Sequence, residues 1–287
     1  MVVIGIIGFA MDRGLEASEV LIRRWKRQAE DGEMEETSNF VRIRRGLTLP
    51  LLLLVAWEAS SRFGLVDIRF LPPIEDVILT AKQEIIDNGL VGQLGSSLLR
   101  NIAGFLIGAV LGIGFGTLLA VVNIADRLIM PTFNGIKQIS LLAWIPLISV
   151  WFGFAEQAKI VFVALAAFIP IALNTHDGIK DAPRELVEVG RALRFNSWQR
   201  ISRIYLPVAL PSIATGIHLG LIYSWLATVG AEYFLAVGPG IGGLVIAGRE
   251  RFDMALVMVG VIILGIVGFA FNRLAGAAER RLLRWRE

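Results

Sequence analysis

The chain has 287 residues, 55% of them hydrophobic, and a mean hydropathy of +0.66. Soluble domains hold about 45–50% apolar residues with glycine included, so a membrane protein is expected. Cysteine is absent, which excludes a disulfide framework, a thiolate metal site and a cysteine nucleophile. The net charge of +3 and pI near 9.5 would suit nucleic acid only if the basic residues gathered on one surface, and they do not.

In chain order, residues 1–46 form an N-terminal extension and residues 47–287 a transmembrane domain. Residues 2–25 align without gaps to 262–285 and share ten residues, among them Gly5, Gly8, Phe9, Arg13 and Trp25. A repeat at that offset reads as the tail of a preceding copy of the same membrane unit, with an unrelated amphipathic leader as the plainer alternative. Only about ten apolar residues precede Asp12, too few to span a bilayer, so the extension is expected at the inner surface, with the acidic stretch Glu30–Glu36 as a linker.

About 20 apolar helical residues are needed to cross about 30 Å of hydrocarbon. Six windows approach that length: 47–64, 101–122, 138–154, 158–174, 212–231 and 254–272. The third and fourth are short, are joined by Phe152–Lys159, and could form one broken hairpin. With the N-terminus inside, 21 of the 28 Lys and Arg fall on the cytoplasmic side. The basic pI therefore follows from the positive-inside rule, and nucleic acid is set aside. Outside, residues 65–99 place Pro72 and Pro73 before Ile74, Val77, Ile78, Ala81, Ile85 and Ile86. That spacing predicts an amphipathic surface helix.

The inner segment 175–211 carries the most information. Pro183 suits the first turn of a helix that runs to about Leu193. Asn196 with Gln199 three residues on is a capping-box pattern that opens a second helix, and Pro207 should end or kink it. Two short helices meeting at Arg194–Asn196 would make a protruding cytoplasmic elbow; an ordinary loop is the plainer alternative.

Elsewhere, Gly104, Gly108, Gly112 and Gly116 lie four apart, a smooth face for close helix approach, either within the chain or at a subunit interface. Gly238, Gly240 and Gly243 spell a dinucleotide fingerprint without the βαβ unit it requires, and read as a turn instead. Ionisable residues inside apolar windows are functional candidates. Here they are few: His218 and Glu232 are candidates for a translocation path, Glu58 lies near the end of the first window, and His176 near the inner end of the fourth. No clustering of His with Glu supports a metal site.

The elbow resembles that of the permeases of binding-protein-dependent ABC importers, whose cytoplasmic loop reads Glu-Ala-Ala, three residues, Gly, nine residues, Ile-x-Leu-Pro. Here Glu188, Val189 and Gly190 take the first three places, and Ile204, Leu206 and Pro207 the last. Arg194 stands where the glycine belongs, and a positive φ is unfavourable for arginine. Either Asn196 takes the tight position or the elbow is more open. The resemblance runs from about residue 48 to the C-terminus and is closest to the nitrate, sulfonate, taurine and bicarbonate branch. It includes Trp57-Glu58, Leu71-Pro72-Pro73, Ser97-Leu98-Leu99-Arg100, Ile145-Pro146-Leu147, Trp151-Phe152-Gly153, Ala231-Glu232 and Gly240-Ile241-Gly242.

The resemblance implies an all-α type I importer permease with about six transmembrane helices, multi-pass in the inner (plasma) membrane, both termini cytoplasmic. It further implies a second permease subunit, identical or paralogous, a periplasmic substrate-binding protein, and an ABC ATPase dimer that binds the ATP and docks on the elbow. The docking residues would be Leu186, Glu188, Val189, Gly190, Leu193, Arg194 and Phe195, with Ile204, Leu206 and Pro207 supporting them. No Gly-Lys pair occurs in the chain, hence no P-loop; it is not expected to be an enzyme or to hold a cofactor. The substrate class implied is a small anion or a small heteroaromatic vitamin precursor, since that branch handles both. An ion-coupled secondary transporter is the alternative, but that class usually concentrates ionisable groups near the midplane.

Overall fold

The computed structural model describes residues 39–235 and 238–282, with side chains from Thr48 to Arg281. The extension up to residue 38, with its copy of the repeat at 2–25, lies outside the described residues. The chain divides into two compact units, Met1–Leu65 and Val66–Glu287.

In the first unit, the window at 47–64 lies on helix α1 (Asn39–Arg62), which carries Pro50 inside it. Leu49, Leu51, Leu52, Leu53, Leu54 and Val55 are all exposed, a row of aliphatic side chains suited to lipid. An i,i+4 ion pair between Glu58 and Arg62 marks its far end.

In the second unit, α2 (Ile74–Ile86) follows Pro73 as its N-cap, with Glu75 and Asp76 in the first turn where the helix dipole favours acid. It buries Val77 and Glu84 and exposes Ile78, Leu79, Ile85 and Ile86, so a helix forms where the spacing predicts one, but the face it buries is not the predicted apolar set. Gly89, at φ 68°, turns the chain into α3 (Leu90–Val121). The stretch between the second and third apolar windows is helical, as α4 (Asn123–Ile136). It forms a bent pair with the segment Leu141–Phe152, composed of a 3-10 turn (Leu141–Trp144) and α5 (Ile145–Phe152), with 97° between them. The third window is thus broken on its N-terminal side as well as at Gly153–Ala155, inside the expected joint Phe152–Lys159, where α5 ends and the next helix begins at Glu156. The reason for the first break is local: Ile139 and Ser140 interrupt the helix, and Ala143 donates back to Ser140 to start the 3-10 turn.

Next come α6 (Glu156–Lys180), α7 (Arg184–Ala192), α8 (Ser197–Arg200), a π turn (Ile201–Tyr205), α9 (Leu206–Phe234), α10 (Ile241–Glu250) and α11 (Met254–Leu282). Among the described residues, four helices are long and apolar enough to cross a membrane: α3, α6, the run Ser197–Phe234 and α11. The bent pair makes up to five. The large apolar side chains on α3 and α11, such as Leu106, Val110, Leu111, Ile266 and Phe269, remain exposed, as expected of helices whose outer faces meet acyl chains.

Helix α6 is central, packing on both α3 and α9. The α3 side depends on the glycine stripe. A Cβ at Gly108 would fall 2.4 Å from the Ala164 carbonyl oxygen, and one at Gly116 2.4 Å from that of Ala172. At Gly104 it would meet Val163 at 2.6 Å, and at Gly112 Ile171 at 3.0 Å. The stripe is therefore filled by α6 of the same chain. Phe115, Phe133 and Phe168, with ring centroids 5.3 to 6.0 Å apart, attach α4 to the same pair. Replacing Gly108 or Gly116 with valine should destabilise the fold by about 3 kcal/mol or more, because backbone stands in the way. Gly114→Val, whose Cβ meets nothing within 4 Å, should leave the melting temperature in detergent unchanged.

Candidate functional site

The elbow is built as a helix, a left-handed turn and a second helix. Helix α7 ends in a Schellman arrangement: the Phe195 amide donates to the Gly190 carbonyl at 2.9 Å and the Arg194 amide to that of Arg191 at 2.9 Å. Arg194 itself takes the left-handed position at φ 54°. Asn196 is extended instead and caps α8, its Oδ1 accepting from the Gln199 amide at 2.8 Å while Gln199 Oε1 accepts from the Asn196 backbone amide at 2.9 Å. Arginine thus occupies the glycine position and carries the steric cost, offset by the two helix-ending hydrogen bonds. Pro207 does not end the helix. The preceding π turn shifts the hydrogen-bond register, Leu206 donating to Ile201 five residues back, so the proline ring enters the first turn of α9 without displacing an α-type bond there.

The elbow's outer surface is apolar. Leu186, Val189, Leu193 and Trp198 are 45, 55, 62 and 71% exposed, and Glu188 is exposed beside them. Phe195 is half-buried instead: Arg203 stacks 5.5 Å from its ring, and the ring closes over Gly190, where a Cβ would collide with Ile204 Cδ1 at 2.4 Å. Gly190 and Ile204 are buried, Leu206 is half-buried and Pro207 exposed. Trp198, the largest exposed side chain of the elbow, is the residue that motif reading missed.

Glu232 sits in a buried cluster at the opposite end of the bundle. It is ion-paired to Arg100, both almost fully buried, and accepts hydrogen bonds from Ser97 Oγ at 2.6 Å and the Gly242 amide at 2.7 Å. Arg100 also grips both oxygens of Glu156, at 2.7 and 2.8 Å, and the Pro239 carbonyl at 3.1 Å. Ser97 Oγ in turn accepts from the Ile241 amide at 3.0 Å. A Cβ on Gly240 would lie 2.5 Å from Glu232 Cδ, and one on Gly242 2.5 Å from Glu232 Cβ. Glycine at both positions lets the loop backbone close onto the carboxylate.

A cavity of about 540 Å3 opens between the bent pair, α6 and α9. Leu142, Phe162, Pro170 and Leu226 line it, with Lys137, Asn174 and Tyr223 as its polar groups. Neither His218 nor Glu232 lines it. His218 bridges α9 to α11, with Nδ1 3.1 Å from Glu279 Oε2 and Nε2 2.9 Å from Asn272 Oδ1.

The model of binding-protein-dependent transport system inner membrane components matches residues 104–284. The chain belongs to that family. Among its relatives, the Bacillus subtilis protein named as the aliphatic sulfonates transport permease SsuC is 36% identical over 242 residues, covering 84% of this chain and 87% of that one. The bicarbonate transport system permease CmpB of Synechococcus elongatus is 32% identical, covering 83 and 90%. The inward-facing MetNI methionine ABC transporter superposes with a TM-score of 0.53 at 23% identity, over 66% of this chain and 95% of that one, a likeness of fold. The chain is an ABC importer permease with the all-helical membrane fold of that class.

Within this permease, three of the quoted sequence stretches, Ser97–Arg100, Ala231-Glu232 and Gly240–Gly242, converge on one ion-pair cluster, though they are far apart in the chain. Removing the Glu232 carboxylate by Glu232→Ala should cost about 3 kcal/mol, because Arg100 keeps a buried charge matched only by the half-exposed Glu156. A large fall in the detergent melting temperature reports it. Arg194→Gly, by contrast, should raise stability by about 1 kcal/mol, the left-handed strain outweighing the extra unfolded-state freedom of glycine; the same thermal scan checks the sign.

Proposed function

We propose that this permease forms one half of the translocation path for a small anion of the sulfonate or bicarbonate kind. A periplasmic binding protein delivers the anion, and an ATPase dimer docked on the elbow drives its passage. The observation that carries the reading is the exposed row Leu186, Val189, Leu193 and Trp198 on a rigidly capped two-helix elbow. A soluble loop has no reason to display four large apolar side chains, whereas a docking helix needs them as anchors. Glu188 adds a charge at the rim, and Gly190, Arg194, Phe195 and Ile204 hold the elbow's shape from behind.

The substrate class is supported by the names of the relatives and by Lys137 at the cavity between the bent pair, α6 and α9. That cavity is open where Leu142, Tyr223 and Leu226 are half or more exposed, and a second permease subunit, identical or paralogous, would close it. ATP binds the partner ATPase, and residues 47–287 make the transport unit. In this arrangement the chain is multi-pass in the inner membrane with both termini cytoplasmic.

Two experiments test these assignments. In the reconstituted transporter, Glu188→Lys combined with Trp198→Ala should lower uptake and substrate-stimulated ATP hydrolysis at least tenfold while leaving membrane insertion intact; wild-type coupling in that variant would refute docking at the elbow. Cysteines placed at Asn88 and Arg249 should react with an impermeant thiol reagent in intact cells, and one at Asn196 only after permeabilisation. The native chain contributes no background, since it has no cysteine.

A further inference from the structure

Between the elbow and the inner ends of α3 and α6 lies another cavity, of about 620 Å3. Its wall carries Lys180, Arg184, Arg191 and Arg200 and no carboxylate, while Asn123, Ser197 and Tyr205 add hydrogen-bonding groups. The four cations come from three elements: Lys180 from the last turn of α6, Arg184 and Arg191 from α7, and Arg200 from α8. Arg184 and Arg191, seven residues apart, share one face of their helix. Glu185 and Glu188 of the same helix are exposed and do not line the cavity.

These cations differ in how far their charge is matched. Lys180 Nζ lies 2.8 Å from Asp126 Oδ2. Arg184, Arg191 and Arg200 form no ion pair with a carboxylate among the described residues. Arg200 donates from Nη2 to Ser197 Oγ at 3.3 Å, yet its Nε is buried with no acceptor. Three unmatched guanidinium groups around one concavity repel each other, and a buried N–H without a partner is disfavoured. An oxyanion seated among them removes both penalties. The planar forks of arginine suit phosphate in particular.

We infer that this cavity binds a phosphate group. The neighbouring surface favours an anionic phospholipid headgroup as its source over free phosphate. Ala120, Val121, Ile179 and Val187 line the apolar part of the wall, and Leu118 and Val122 of the adjoining chain are 50 and 41% exposed, so an acyl chain has an apolar track leading away from the charges. Basic pockets between helices at the cytoplasmic surface are the recurrent setting for such headgroups. The site is separate from the cavity lined by Lys137 and Tyr223, and its occupancy is readable without measuring transport.

The test uses the whole transporter, permease with ATPase, in nanodiscs of phosphatidylcholine alone, of phosphatidylcholine with phosphatidylglycerol, and of phosphatidylcholine with added inorganic phosphate. Phosphatidylglycerol should raise the permease's melting temperature in the wild type, and the rise should vanish in Arg184→Gln/Arg191→Gln/Arg200→Gln and return in part in the matching lysine variant. A rise with inorganic phosphate alone, lost in the same glutamine variant, would assign the site to the free anion. If the triple variant does not assemble, the single change Arg191→Gln, at an exposed position, should increase the phosphatidylglycerol needed for the half-maximal rise about tenfold. The inference is overturned if neither anion shifts the wild type, or if the shift is equal in wild type and variants. It is likewise overturned if the wild type is unresponsive while the glutamine variant loses the ATPase, which would make the cavity a docking surface for the partner's carboxylates.

Discussion

Helix association inside a bilayer gains nothing from removing apolar surface from water, since acyl chains are as apolar as leucine; it depends on close packing and on polar contacts. In this permease that constraint is met at the seam between α3 and α6, where four glycines on one helix let it lie against the carbonyls and small side chains of the other. Everything else is arranged on that pair. Helix α9 packs on α6 beside α3, so that Ala167 and Ile171, which meet Gly108 and Gly112 of α3, also meet Gly220, and Ile171 meets Gly216. The aromatic triad of Phe115, Phe133 and Phe168 then brings α4 onto the seam.

Polar contacts do the rest of the work. Arg100 and Glu232 are charges taken wholly out of solvent, and an ion pair of that kind is stable only when its remaining donors and acceptors are also satisfied. Here they are, by Glu156, Ser97, the Pro239 carbonyl and the Gly242 amide. The cluster thereby joins α3, the start of α6, the end of α9 and the loop into α10. Asn101, donating to Ser224 and Thr228 at 3.1 Å, adds a second polar tie between α3 and α9 about one residue further in. His218 with Glu279 and Asn272 ties α9 to α11 in the same manner.

At the opposite end, rigidity is invested in the elbow. A Schellman ending, a capping box and a π turn follow within about 15 residues, and each fixes backbone groups that a loop would leave to water. Such stiffness suits the docking role proposed for the elbow. The basic cavity beneath it sits where α3, α6 and the elbow meet, so an anion held there would brace the same junction.

Much of this was legible in the amino-acid sequence. Apolar windows of spanning length located α3, α6, α9 and α11 because hydropathy depends on composition alone. The capping box at Asn196 and Gln199 was readable because its hydrogen bonds are local. The four-residue glycine spacing announced a close approach but not its partner, since any helix with small residues could fill it; only the tertiary structure assigned α6. Glu232 could be recognised as an ionisable residue at the edge of an apolar run. That it is neutralised by Arg100, 132 residues away, is a property of folding, because periodicity carries no information about which helices become neighbours. The left-handed Arg194 was likewise undecidable from type, its penalty being outweighed by bonds to Gly190 and Arg191 that exist only once α7 has formed. Local chemistry was therefore determined by the sequence itself, while the pairing of distant charges and faces was decided by the packing of helices in three dimensions.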